Sequence, residues 1–316
     1  MILALVAGTI VLLLPVGGIN DARMSVIEHP VRAKALDLSG YSDGAPERPL
    51  DLLFMHHSCG GVLLAAPGPS DARANSIQIY NTHPDGGGLR TRLEKASYVV
   101  HEADRVSRIG RATDIFDWPP KFRDQMADIL ACDSQDLRHP NGRRNQIVVF
   151  KSCFPNNAFR SEGHAPGKPE GPDLTVWNAK AAYAALLPEF AKHPNVLFVC
   201  VTAPPLAPKT APKPLWRQIV NKARGRTNDP VEAGRLAREF NNWLVDQEGW
   251  LKNSTLTNVV VFDYYDILTG EGASNLSVYP TGDGYDSHPG SAGNQRAAEA
   301  FERLINRAVR RAGIIP

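Results

Sequence analysis

The sequence predicts an α/β protein, a three-layer α/β/α sandwich built on a five-stranded parallel sheet. Three observations lead there. From Leu50 onward, short apolar runs alternate with helical patterns five times, the signature of a parallel sheet with helices on both faces. The runs are β-branched and aromatic without strict polar alternation, as in strands covered on both sides. Polar clusters also follow the first, third and fifth runs, at the carboxyl ends of strands where open parallel sheets bind ligands.

The predicted strands are Leu50 to His56, Ser97 to Glu102, Gln146 to Lys151, Val196 to Thr202 and Asn258 to Tyr264. Between them, Pro120 to Leu130 and Leu174 to Phe190 read as helices. Asp229-Pro230-Val231-Glu232 combines a cap residue, a proline at the first helical position and an acid that completes a capping box. The stripe Leu236, Phe240, Trp243 and Leu244 that follows has the spacing of a core-facing helix. Ser291 opens the last helix, where Ala297, Phe301, Leu304 and Ala308 form a similar stripe ended by Gly313.

The chain has 316 residues, 43% hydrophobic and 22% charged, which is ordinary for a globular protein with a full core. A net charge of +2 leaves no field that argues for nucleic acid. Four cysteines, at 59, 132, 153 and 200, are too few and too scattered for a disulfide framework or a CxxC zinc site.

The N-terminus differs from the rest. Ile2 to Val16 is an apolar run too short for a span of about 20 residues but suited to a signal-peptide core, with Gly17-Gly18 behind it. Residues 1–18 are therefore read as a signal peptide or an uncleaved N-terminal anchor. The protein is expected in the periplasm or outside the cell, at a membrane only through that segment. Residues 19–48 form a lead-in without sustained periodicity, and 49–316 one domain. Residues 209–226 are basic and proline-containing, a solvated loop, a lid or a contact for an anionic polymer.

The chemistry centres on Asp286-Ser287-His288. An acid two residues before a histidine can occupy one tight turn, so the carboxylate holds Nδ1 while Nε2 faces outward as a general base. A nucleophile far back in the chain would complete the relay. Ser58, after the first strand and before Gly60-Gly61, is the candidate, against a reading as a helix cap. Asn156 can donate its side-chain amide to an oxyanion, and its alternative is an Asx turn after Pro155. Gly110, beyond the second strand, is a candidate backbone donor beside the Ser58 N–H. Asp283 is the fallback acid. Reading His56, His57, His288 and Asp286 as a metal cluster finds no supporting spacing, so neither metal nor cofactor is expected.

Taken together these residues resemble the SGNH/GDSL hydrolase superfamily, over residues 50 to 310. A serine after the first strand, a glycine after the second, an asparagine after the third and an Asp/His pair before the last helix match Ser58, Gly110, Asn156 and Asp286/His288 in order. His56-His57-Ser58 with the Lys151-to-Asn156 segment is similar to an uncharacterised bacterial branch of that superfamily. Two departures stand out: His-His-Ser replaces Gly-Asp-Ser, and the acid lies two rather than three residues before the histidine. The latter spacing is similar to that of SGNH-like polysaccharide O-acetyltransferases. The resemblance implies a flavodoxin-like strand order and a serine esterase acting through acyl-Ser58 on an ester, with O-acetylated carbohydrate preferred. The alternatives are acyl transfer to a sugar hydroxyl and a non-catalytic carbohydrate- or envelope-binding protein. With that order the first and third strands are neighbours, which makes Cys59 and Cys153 candidates for a disulfide.

Overall fold

The computed structural model describes residues 31–74, 76–210 and 229–316. The predicted signal segment and most of the basic 209–226 stretch lie outside them. No described helix is long and apolar enough to cross a membrane.

Five long strands carry the sheet: β1 (Leu50–Met55), β2 (Tyr98–Ala103), β3 (Ile147–Lys151), β4 (Leu197–Val201) and β5 (Val259–Phe262). They lie in the order β5-β4-β3-β1-β2, all parallel. The sheet has seven strands rather than five, because Cys132–Ser134 adds to β2 in parallel and Leu137–Arg138 returns antiparallel to it. These edge pieces are short and mostly polar, so no apolar run announces them.

Each long strand feeds two cores by simple alternation. Leu53, Met55, Val148, Phe150, Phe198 and Cys200 point to one face, and Leu52, Phe54, Ile147, Val149, Leu197 and Val199 to the other. Helices α3 (Trp118–Ala131), α4 (Val176–Ala184), α5 (Leu187–Ala191) and α6 (Pro230–Val245) cover the first face. The second is covered by α1 (Ser58–Leu64), α2 (Leu89–Lys95) and α8 (Ser291–Arg311), while α7 (Tyr264–Leu268) closes the end of β5.

The predicted helix over 174–190 is two helices. Pro188 has no N–H to bond Ala184, and its ring would meet that carbonyl, so α4 ends at Ala184 and α5 starts afresh. Helix α6 starts as expected, with the Asp229 carboxylate accepting from the Val231 N–H at 2.9 Å. The described part of the lead-in is docked rather than free. Ala35 bridges Asp246, Arg32 pairs with Asp266 at 2.7 Å and Leu38 is buried in the second core.

Candidate active site

Register places the site. Met55 pairs with Phe150 across β1 and β3, so the chain leaving each strand emerges at the same level. His57 and Ser58 follow β1, with Ser58 as the first residue of α1, and Ser152 and Cys153 follow β3. Asp286–Pro289 reaches the same edge as one arm of a small antiparallel ribbon with Pro280–Thr281. Ser287 Oγ accepts from the Ala207 N–H at 2.9 Å, and Thr281 Oγ1 donates to the His288 carbonyl at 3.1 Å. Those two bonds tie the ribbon to the loop after β4 and to itself.

Ser58 Oγ lies 2.8 Å from His288 Nε2, and His288 Nδ1 lies 2.7 Å from Asp286 Oδ1. The same carboxylate oxygen accepts the His288 backbone N–H at 3.0 Å. A carboxylate facing Nδ1 makes it the protonated nitrogen and leaves the Nε2 lone pair for the serine hydroxyl. Burial pushes the Asp286 carboxyl up, but the backbone and side-chain hydrogen bonds from His288 outweigh it and hold the acid below its usual range. The Phe154 ring meets the imidazole edge-on at 5.1 Å. Asp283 is elsewhere: it sits on the Gly282–Gly284 turn with φ +55, and its backbone carbonyl accepts from Lys209 Nζ.

Two expected oxyanion donors are already engaged. The Gly110 N–H donates to Ser107 Oγ at 2.8 Å inside its own turn, where a Cβ would stand 2.0 Å from the Asp104 carbonyl. Its glycine identity is thus explained by packing, and its N–H is turned to its own loop. Asn156 is buried near the site; its Oδ1 accepts from the Ile115 N–H at 2.9 Å, and its Nδ2 donates to Asp114 Oδ1 at 2.7 Å and to the Cys153 carbonyl at 3.3 Å. The Ser58 N–H, at the first position of α1, has no intrahelical acceptor.

Cys59 and Cys153 are neighbours, with sulfurs 3.3 Å apart where a disulfide bond spans about 2.05 Å. The adjacent strand ends bring them into contact. Burial raises the Cys59 thiol, whereas the hydrogen bond from Cys59 and the buried Lys151 ammonium favour thiolate at Cys153. Cys153 Sγ is also 3.9 Å from Ser58 Oγ.

Behind Ser58 lies a network that the sequence did not announce. His56 is fully buried, with Nδ1 3.0 Å from the His57 carbonyl and Nε2 3.1 Å from Glu102 Oε2. The other Glu102 oxygen accepts from Arg90, at 2.8 Å from its Nε. Burial pushes Glu102 up, and the bonds from His56 and Arg90 overcome that, so it stays ionised. The only outward sign is a glutamate ending an apolar strand.

The two glycines after Ser58 belong to this packing. A Cβ on Gly60 would stand 2.3 Å from His56 Cβ, and one on Gly61 1.7 Å from the Gln78 carbonyl. Both N–H groups bond the His57 carbonyl, at 2.9 and 3.2 Å, so the glycines serve close packing rather than a ligand. His57 itself turns the other way: burial lowers its imidazole, and its buried Nε2 has no hydrogen-bond partner among the described residues.

No family model matches the chain, and no curated protein matches it. Among solved structures it is similar to a catalytic mutant of an acetylxylan esterase from Geobacillus stearothermophilus. That match has 12% identity and a TM-score of 0.41, covering 85% of this chain and 96% of the other. It is also similar to a carbohydrate esterase whose active site is described as having divergent catalytic and non-catalytic binding functions. There the identity is 12% and the TM-score 0.35, over 82% of this chain and 65% of that one.

Proposed function

We propose that the protein is a serine esterase that forms an acyl-enzyme on Ser58 and acts on O-acylated carbohydrate. The observation that carries this reading is the unbroken hydrogen-bonded series Ser58 Oγ, His288 ring, Asp286 carboxylate, at 2.8 and 2.7 Å. A serine hydroxyl is a weak nucleophile until a neighbouring base can take its proton, and this series supplies that base in the required tautomer.

In the first half-reaction Ser58 Oγ attacks the acyl carbon while its proton passes to His288 Nε2. The imidazolium is stabilised by Asp286. Collapse of the tetrahedral intermediate breaks the ester C–O bond, and Nε2–H protonates the departing alcohol. Water then repeats the sequence, with His288 taking its proton and returning it to Ser58. The oxyanion is received by the Ser58 N–H and by one Asn156 Nδ2 hydrogen, exchanged from Asp114 or the Cys153 carbonyl as the charge develops.

The carbohydrate preference is supported by the openness and polarity of the site. The His288 and Asp286 side chains are 34% and 48% exposed, which suits a bulky hydrophilic alcohol better than a lipid needing an enclosed apolar channel. If a sugar hydroxyl replaces water in the second half-reaction, the same residues carry acyl transfer.

The test is labelling by a fluorophosphonate together with hydrolysis of an acetylated oligosaccharide, comparing the native protein with Ser58→Ala. Labelling should vanish, and hydrolysis should fall by about four to six orders of magnitude. Equal labelling of folded Ser58→Ala, or no labelling of the native protein, would overturn the assignment. Measuring acyl transfer to added sugar against hydrolysis separates transferase from esterase.

A further inference from the structure

A second cluster of chemistry-bearing residues lies away from Ser58, at the sheet edge beyond β2. His101 is on β2, Asp133 on the short strand Cys132–Ser134, His139 just before the Pro140–Gly142 turn, and Asp51 near the start of β1. Both histidines are more than nine-tenths buried. Their rings meet edge-on with centroids 4.5 Å apart, and donor atoms of Asp51, His101 and His139 fall within 4.8 Å of one another.

The hydrogen bonds around the rings decide which nitrogens are free. Asn145 Nδ2 donates to the Ile129 and Cys132 carbonyls at 3.0 and 2.8 Å, so its Oδ1, 3.1 Å from His139 Nε2, must accept. That puts the His139 proton on Nε2 and the lone pair on Nδ1. His101 Nε2 faces Asp51 Oδ1 at 3.0 Å, the oxygen that also accepts from Arg143. With its Nε2 proton given to that carboxylate, which a guanidinium counters, His101 offers Nδ1 as a ligand, the tautomer that a bound cation selects over a proton shared with Asp133.

Both Nδ1 atoms turn to one carboxylate. Asp133 Oδ1 lies 2.9 Å from His101 Nδ1 and 3.7 Å from His139 Nδ1. Metal–ligand distances of 2.0–2.1 Å in a tetrahedral site place ligand atoms about 3.4 Å apart, and the two observed separations bracket that value. Among the described residues, these two rings are the only basic side chains within 4.0 Å of the Asp133 carboxylate.

We propose that His101 Nδ1, His139 Nδ1 and Asp133 bind a divalent transition-metal ion of the zinc class. Two imidazoles and one carboxylate suit zinc and exclude calcium or magnesium, which take oxygen ligands. Asp51 and Asn145 hold the two rings by their distal N–H groups, the outer support that metal-bound histidines require. Entry is open, since His101 and Asp133 line a cleft of about 710 Å³ with Val100, Ser134 and Gln135. Three protein ligands leave a fourth position for water or another ligand. The ion would pin the short edge strand Cys132–Ser134 to β2, joined otherwise by a single paired position.

The experiment is calorimetric titration of the chelator-treated protein with Zn²⁺, with thermal melting alongside. The native protein should bind one ion per chain and melt higher with zinc. His101→Gln/His139→Gln should weaken binding at least 100-fold, and Asp51→Asn about 10- to 100-fold through the outer support. Ser58→Ala should bind as tightly as the native chain, which separates this site from the one at Ser58. Asp133→Asn provides a variant at a 40% exposed side chain whose folding is not at risk, and it should weaken zinc at least tenfold. The proposal is overturned if folded native protein binds no stoichiometric zinc, or if Asp133→Asn binds it unchanged.

Discussion

The two sides of Ser58 are built by opposite means. On the solvent side, Asp286 and His288 lie two residues apart on an exposed ribbon and touch Ser58 from 230 residues away through one hydrogen bond. On the core side, His56, Glu102 and Arg90 come from three separate segments and are buried as a hydrogen-bonded group around the Arg90–Glu102 ion pair. In the proposed reaction the ribbon supplies the base and its acid at little cost to folding, because its charges keep much of their water. In that proposed reaction the buried group takes no direct part. It fixes the backbone from which Ser58 projects, and its ions persist only because each has its partner.

That contrast can be broken at the ribbon first. Asp286→Asn keeps the shape of the turn but removes the acceptor that selects the tautomer. We expect kcat to fall by about 10²- to 10⁴-fold, with KM and melting temperature nearly unchanged. A large stability loss in that variant would mean the ribbon is structural, and the contrast would fail.

Next comes the core side. Glu102→Gln leaves the Arg90 cation buried without its counter-charge and should cost about 3–5 kcal/mol in urea unfolding. Folded molecules of this variant should still label with a fluorophosphonate. The same carboxyl gives a pH signature. Its folded pKa lies below the ordinary 4.5, so the stability it contributes is complete above that value and is lost as pH falls through the lowered one. Native protein should therefore lose stability in acid more steeply than Glu102→Gln does.

The smallest effect sharpens the boundary between the two sides. Gly60→Ala drives a methyl against His56 Cβ and should cost about 1–3 kcal/mol. Because α1 carries both Gly60 and Ser58, activity should fall with it. Unchanged activity at reduced stability would show that Ser58 is positioned independently of His56.

Much of the architecture is legible because of one physical fact. Strands covered on both faces are largely apolar, so β1 to β5 stand out as runs with ends displaced by at most two residues. The short strands Cys132–Ser134 and Leu137–Arg138 have no such requirement at the sheet edge and leave no trace. In the site, the Asp286 to His288 contact is legible because it is local. The engagement of Gly110 by Ser107 and of Asn156 by Asp114 is not, since each depends on the course of the loop after β2.

The sequence by itself determined the alternation of elements and the short-range pairing of an acid with a histidine. Both follow from covalent spacing and from the need to bury apolar faces. Tertiary structure alone decided which distant groups meet: Ser58 with His288, His56 with Glu102, and His101 with Asp133 and His139. Such pairings depend on strand order and register, which local spacing does not encode. For that reason a search for metal-ligand spacing along the chain passes over a cluster drawn from four segments.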